Sequence, residues 1–380
     1  PGWDCHGLPI EWKIEEKYRK MKKDKDQVPI IKFRRECREF AEQWIDVQRE
    51  EFKRLGVIGN WDNPYTTMSF SAEAQIVREL GKFLMDGSLY RGAKPVMWSP
   101  VEKTALAEAE IEYHDHTSTT IYVRFPIAKA SQPEIEAAAI VIWTTTPWTM
   151  SSNVAAAVHP DLTYVKVKQG DETLYLAKAL MSVLKDDHQV EVELPGRDLV
   201  GLTYRGPFDE MPAQQGVEHR VIAWTDVSEG EGTGIVHIAP GAGKEDFALG
   251  KELDLAGIAP LDESGIFIDG FDWLTGRDVA DVNEPIFDDL RSKGLLYRLE
   301  RYAHRYPVCW RCDTELVFRL VDEWFISMDE LRHDMMEITR RIQWIPEFGL
   351  ERELDWLRNM DDWMISKKRY WGLALPIYKC

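Results

Sequence analysis

The sequence predicts a mixed α/β chain in which a mostly β block interrupts α/β material. Three observations carry that prediction. Apolar residues recur at helical spacing through the first hundred residues, short strand-like runs follow from about Ile121, and a mixed pattern resumes after about Tyr306. A length of 380 residues exceeds one ordinary domain and suggests two or three.

The elements follow in chain order. Phe33, Cys37, Phe40, Ala41, Trp44, Ile45, Phe52 and Leu55 fall near the 3.6-residue period, and Gly56 supplies a stop. A second helix is expected from an N-cap at Ser71 through Ile76, Val77, Leu80 and Leu84, ending before Gly87. The texture then changes to TIYVRFPIA, AAIVIWTTT, TYVKVK, TLYLAK, QVEVEL, HRVIAWT and GIVHIA, all short and rich in Val, Ile, Tyr and Thr. KEDFALGKEL reads as a helix within this block. Beyond Tyr306 come a Cys pair, a strand-like LVFRLV, and helices around 328–341 and 350–362. The boundaries read as 1–112, 113–306 and 307–380, with the middle block inserted into a single flanking domain.

Composition narrows the function classes. The net charge is −18, and the first 60 residues hold 14 Lys/Arg against 12 Asp/Glu, so the acidic excess lies in the remainder. That argues against a broad basic surface for nucleic acid, although KYRKMKKDK and SKKRYWG could dock a partner locally or simply form solvated faces. No apolar run approaches the roughly 18–20 residues that span a bilayer, so no membrane partner is expected. Five cysteines are too few and too odd for a disulfide framework, which points to a reducing cytoplasm. The chain opens on PGWDCHGLPIEWK without an initiator Met or leader-like start and stops in LALPIYKC, so both ends read as cut.

Four stretches could carry chemistry. WTTTPWTMSSN, residues 143–153, places three hydroxyls and two indoles at the end of an apolar run; they suit a strand, or a pocket that binds something polar without a strong nucleophile. CWRC, Cys309 to Cys312, is half a zinc site or two unligated thiols. PGAGKEDF fails the phosphate-loop template, with Ile238 where Gly is needed and Glu245 where Ser or Thr is needed. Its Asp246 reads as a first-turn dipole residue or as a site carboxylate. In GWDCHGLPIE, Asp4 lies beside Trp3 and His6 and reads either as an Asx-turn or as an anchor for an ammonium.

Taken together and in this order, GWDCHGLPIE, WTTTPWT, GTGIVHIAPG with EDF, HRYPVCWRC, WFISM and DWMISKKRYWG resemble class I aminoacyl-tRNA synthetases of the isoleucine type. Leucine or valine types typically differ at the Asp-Cys-His core. The resemblance implies an incomplete Rossmann-like catalytic domain interrupted by a mostly β editing domain. It implies tRNA(Ile), isoleucine and ATP as partners, Mg2+ with the ATP, and a monomer in the cytoplasm. The family's ATP signatures of the HIGH and KMSKS kind do not occur here, so an internal segment without synthetic activity of its own is expected.

Residue by residue, the resemblance makes Asp4 the carboxylate for the substrate α-ammonium in the synthetic site. Thr144, Thr145 and Thr146 match the threonine-rich strand of the editing pocket, and Asn153 matches its downstream Asn. His237 and Asp246 match the opposite wall, with Asp246 holding the ammonium of a misplaced amino acid. Two positions depart from the pattern. Ala242 stands where many members have His, and Ser99 and Glu102 stand where many have the second Cys pair, which weakens a zinc assignment to Cys309 and Cys312. Cys380 reads as the first Cys of a separate knuckle. Valine and isoleucine differ by one methylene, worth only about 1–3 kcal/mol in an apolar pocket, a magnitude for which synthetases of this kind are themselves the standard illustration. A second, hydrolytic site makes up the difference. A noncatalytic RNA-binding segment and a free-standing metalloenzyme are the competing readings.

Overall fold

The computed structural model describes residues 1–129, 138–185 and 187–378. The chain divides into two compact units, one of residues 94–321 and one of residues 1–93 with 322–380. The block read as 113–306 falls inside the first.

The 94–321 unit is built on a large mixed sheet, as the short Val- and Ile-rich runs predict. Ala139–Thr144 pairs with Ile235–Ile238, which pairs with Ala155–Val158, then Arg220–Ala223, Thr203–Tyr204 and Ile111–Lys129. Ile111–Lys129 pairs back onto Ala139–Thr144, from Ile121↔Thr144 to Pro126↔Ala139. These six strands therefore close into a ring without a free edge. Ile140, Val141 and Ile142 are completely buried, the mark of a strand covered on both faces. Ala155, Ala156 and Ala157 are equally buried, and their small side chains let neighbouring elements approach. Thr163–Gln169, Glu172–Ala177 and His188–Pro195 extend the sheet beyond Ala139–Thr144. Leu296–Cys309 runs antiparallel along Ile111–Lys129 as a long ribbon. The predicted helix in KEDFALGKEL spans Lys244–Glu252.

The other unit is mainly helical, with Leu8–Lys20, Ile30–Arg54, Phe70–Asp86, Leu331–Arg340 and Gly349–Asn359. Phe33, Cys37, Ala41 and Ile45 of the 25-residue helix pack with Ile14, Tyr18 and Trp371, which is half of the face expected from sequence; Phe40 is partly buried, and Trp44, Phe52 and Leu55 are exposed. The next helix begins two residues before the expected position. Ser69, not Ser71, is its N-cap: its hydroxyl accepts from Ala72 N at 3.3 Å, and Phe70 and Ser71 are already helical. Gly87 ends this helix in the left-handed conformation (φ 86°), as a C-terminal glycine should. The basic run KYRKMKKDK is a solvated face only in part. Lys20 is 73 % exposed, but Lys25 is 6 % exposed and pairs with Glu11 at 3.1 Å. The second Glu11 oxygen accepts from the amides of Tyr370 and Trp371, both at 2.9 Å, so this buried carboxylate is fully used. Among the described residues, no helix is long and apolar enough to cross a membrane.

Candidate active site

The Thr-rich end of Ala139–Thr144 opens into a cavity of about 570 Å³ in the 94–321 unit. Thr144, Thr145 and Thr146 line it together with His237 and Asp246, so three separate stretches of the sequence meet there. The sheet explains the meeting. Val236 is in register with Trp143 and His237 with Ala156, which sets the His-bearing strand beside the Thr-bearing one. The turn after that strand then delivers Asp246 in the first turn of Lys244–Glu252.

That glycine-rich turn is shaped by packing. A Cβ on Gly241 would stand 1.9 Å from the Ile258 carbonyl oxygen, so only glycine fits there. Ala239 N donates to Asp246 Oδ2 at 2.8 Å and fixes the carboxyl. Burial nevertheless raises this carboxyl to about 6, against the lowering by that amide. The first-turn dipole reading and the cavity carboxylate reading thus describe the same side chain.

Asn153 does not line the cavity. It lies buried behind the wall, and its hydrogen bonds decide what His237 can do. Tyr204 donates its hydroxyl proton to Asn153 Oδ1 at 2.7 Å. Asn153 Nδ2 donates to Ala155 O at 2.9 Å and meets His237 Nδ1 at 3.3 Å, so Nδ1 is an acceptor. Thr149 spends its proton on Thr146 O at 2.7 Å and therefore accepts from His237 Nε2 at 2.9 Å. These bonds assign the Nε2–H tautomer. Burial lowers the imidazole to about 4, which keeps it neutral. With both nitrogens engaged, His237 has no lone pair left for a substrate proton. It holds the segment 146–149 in place.

The threonines are also unequal. Thr144 Oγ1 accepts from Thr146 N at 3.0 Å and closes the turn. Thr145 and Thr146, half-buried and with hydroxyls 3.5 Å apart, line the cavity. Thr149 and Tyr204 were not singled out from sequence. Thr149 sat within the quoted WTTTPWT, but Tyr204, one of 13 tyrosines, carried no local signal.

Cys309 and Cys312 are free thiols. The Cys312 thiol is lowered to about 5, first by a hydrogen bond from Cys309, which is raised in turn, and it also meets Thr314 Oγ1 at 3.0 Å. Ser99 Oγ lies 3.9 Å from Cys312 Sγ, so a hydroxyl stands where a second thiolate pair would complete a tetrahedral site. Among the described residues, no group of three or more His, Cys, Asp or Glu could hold a metal ion. This donor set does not fit zinc, and no step is routed through it. Cys380 lies outside the described residues.

In the helical unit, Asp4 Oδ1 accepts from Thr67 Oγ1 at 3.3 Å and lies 3.5 Å from His6 N, the Asx-turn contact. Its exposed carboxyl sits by His6, whose ring lies 5.0 Å from that of Trp371 and whose pKa burial lowers.

The chain belongs to the class I tRNA synthetases: the sequence model described as tRNA synthetases class I (I, L, M and V) matches residues 1–380. Within that class it is similar to curated isoleucine--tRNA ligases. The chain is 44% identical to that of Pelagibacter ubique over 391 residues, covering 100% of this chain and 43% of the relative. It is 40% identical to that of Aquifex aeolicus over 402 residues, covering 100% and 42%. It is 42% identical to that of Methanothermobacter marburgensis over 385 residues, covering 100% and 36%. The chain therefore spans about two-fifths of the length of these relatives. Among solved structures it is similar to the one described as the crystal structure of GlLeuRS-CP1, at 15% identity and a TM-score of 0.39, over 48% of this chain and 99% of that one. That likeness is too distant to bear on the site.

Proposed function

We propose that this chain is the segment of an isoleucine--tRNA ligase that carries its hydrolytic editing site, and that the site cleaves valine from valyl-tRNA(Ile). The observation that carries the reading is the cavity itself. It holds one anchored carboxylate, Asp246, opposite two hydroxyls, Thr145 and Thr146, and it contains no activated nucleophile. Hydrolysis of an aminoacyl ester asks for that set. The α-ammonium pairs with Asp246, and the Thr145 and Thr146 hydroxyls hold the terminal adenosine and a water. The water oxygen attacks the ester carbonyl carbon and the ribose oxygen leaves with a proton. The ester is already activated, so positioning and electrostatics supply much of the rate. The proton passes to solvent or to the neighbouring ribose hydroxyl, since His237 is committed to Asn153 and Thr149.

Asp4 belongs, in the same proposal, to the amino-acid site of the synthetic reaction. ATP and Mg2+ serve that reaction in the whole enzyme, a cytoplasmic monomer acting on isoleucine and tRNA(Ile). These 380 residues contain no HIGH- or KMSKS-like segment, so no step with ATP is assigned to them. Asp246→Ala tests the assignment of the hydrolytic site. Loss of a buried, hydrogen-bonded charge partner costs about 2–5 kcal/mol, so valyl-tRNA deacylation should fall about 30-fold or more. Unchanged deacylation would remove Asp246 from the site.

A further inference from the structure

The cavity is continuous with a row of rings that the hydrolytic reading does not use. On the ribbon formed by Ile111–Lys129 and Leu296–Cys309, His304 is opposite His116, Tyr302 opposite Ser118 and Tyr306 opposite His114. Alternation along both strands puts these side chains on one face. Their rings form a chain of contacts: Trp143 to Tyr302 at 5.4 Å, Tyr302 to His304 at 5.7 Å, His304 to Tyr306 at 5.8 Å, and Tyr306 to His116 at 5.5 Å. Trp143, His304 and Tyr306 also line the cavity, so three of the five rings belong to its wall and Tyr302 and His116 adjoin it.

The polar tips are tied down. Tyr302 donates to Glu231 at 2.6 Å, His304 Nε2 meets Ser118 Oγ at 2.8 Å, and His116 Nδ1 lies 3.5 Å from Glu315. The rings are half-buried, fixed in orientation and not closed over. Cross-strand packing alone would not ask for this. The opposite face of the same stretch carries one ring, Tyr113, among Asp115, Thr117, Arg301 and Ala303. Period-two rings in YAHRYP are the sequence trace of the row.

We infer that this row is a stacking track for single-stranded RNA, holding the unpaired bases that precede the terminal adenosine while the adenosine enters the cavity. The inference rests on the hydrolytic reading of the cavity. Aromatic faces stack on any base, because every base has a π-face.

The test is a fluorescence titration of the 380-residue chain with a short RNA ending in an unpaired C-C-A, with 2-aminopurine replacing the base before the terminal adenosine. Stacking quenches the probe on binding. The double variant Tyr302→Ala/His304→Ala should lose most of the quench and bind at least tenfold more weakly. The double variant Tyr302→Phe/His304→Phe keeps both rings and should retain the quench, which separates stacking from a fold made unstable by truncation. Absence of quench in the unsubstituted chain, an unchanged titration with the Ala pair, or equal loss with the Phe pair would overturn the track. Hydrolysis of 3′-O-valyl-adenosine is read separately. Cleavage without quench overturns the track and leaves the hydrolytic site standing, and quench without cleavage does the reverse.

Discussion

Burial raises the Asp246 carboxyl to about 6, so the group proposed to hold a ligand ammonium also costs the fold stability. A carboxyl raised on folding contributes stability that is complete below about pH 4 and lost as pH rises through about 6. Asp246→Asn should therefore stabilise the chain at pH 7.5 by on the order of 2 kcal/mol and give no gain at pH 4, checked by denaturant unfolding at both values. Hydrolysis has the opposite requirement. The carboxylate must be charged, so kcat/KM for the valyl ester should fall as pH drops through about 6. His237 runs the other way in stability. Its imidazole is lowered to about 4, so its share is present above the ordinary histidine value of 6.5 and is lost between there and 4. The network behind it yields a sharper expectation. Tyr204→Phe leaves Asn153 Oδ1 buried without its donor, at a cost of about 1–3 kcal/mol. It should also lower kcat for deacylation more than it changes KM, since it loosens the wall and leaves the ammonium anchor in place. Equal kcat with lowered stability would make Tyr204 a core residue only.

At the scale of elements, much was legible because the signals are local. The helix Ile30–Arg54 shows its buried face through a 3.6-residue repeat, and Gly87 marks a stop that the left-handed backbone confirms. The N-cap expected at Ser71 falls at Ser69, because two serines stand within three residues and only backbone geometry decides which of them caps. Each strand could be named from its β-branched run, yet closure of the six-stranded ring could not, since it depends on Ile111–Lys129 pairing with both Thr203–Tyr204 and Ala139–Thr144. For the site, it was the family resemblance that grouped Thr144–Thr146, His237 and Asp246; residue type and spacing alone left Asp246 open between a first-turn residue and a site carboxylate. The demotion of Thr144 and His237 to holding roles was not legible, because it depends on which proton each hydrogen bond consumes. Nor was the reason for PGAGKEDF, which is steric. Gly241→Ala forces a methyl against the Ile258 carbonyl, so a loss of about 2–3 kcal/mol is expected in thermal or denaturant unfolding. Because Asp246 follows five residues later, the same variant should weaken deacylation.

For the whole molecule, a segment covering about two-fifths of its relatives retains a closed β unit with one furnished cavity and a helical unit with the Asp4 turn. Its acidic charge is compatible with a tRNA partner only if recognition is concentrated at the nucleic-acid end and not spread over a basic surface. The proposed division of labour follows from chemistry. One methylene separates the two amino acids, and a cavity that admits the smaller one can reject the larger by size before hydrolysis. The most direct measurement is deacylation of valyl-tRNA(Ile) and isoleucyl-tRNA(Ile) by the 380-residue chain at pH 7.5, each compared with the spontaneous rate. Accelerated release of valine, with isoleucine left near its spontaneous rate, is the predicted result. Equal rates for both esters, or no acceleration of either, would contradict it.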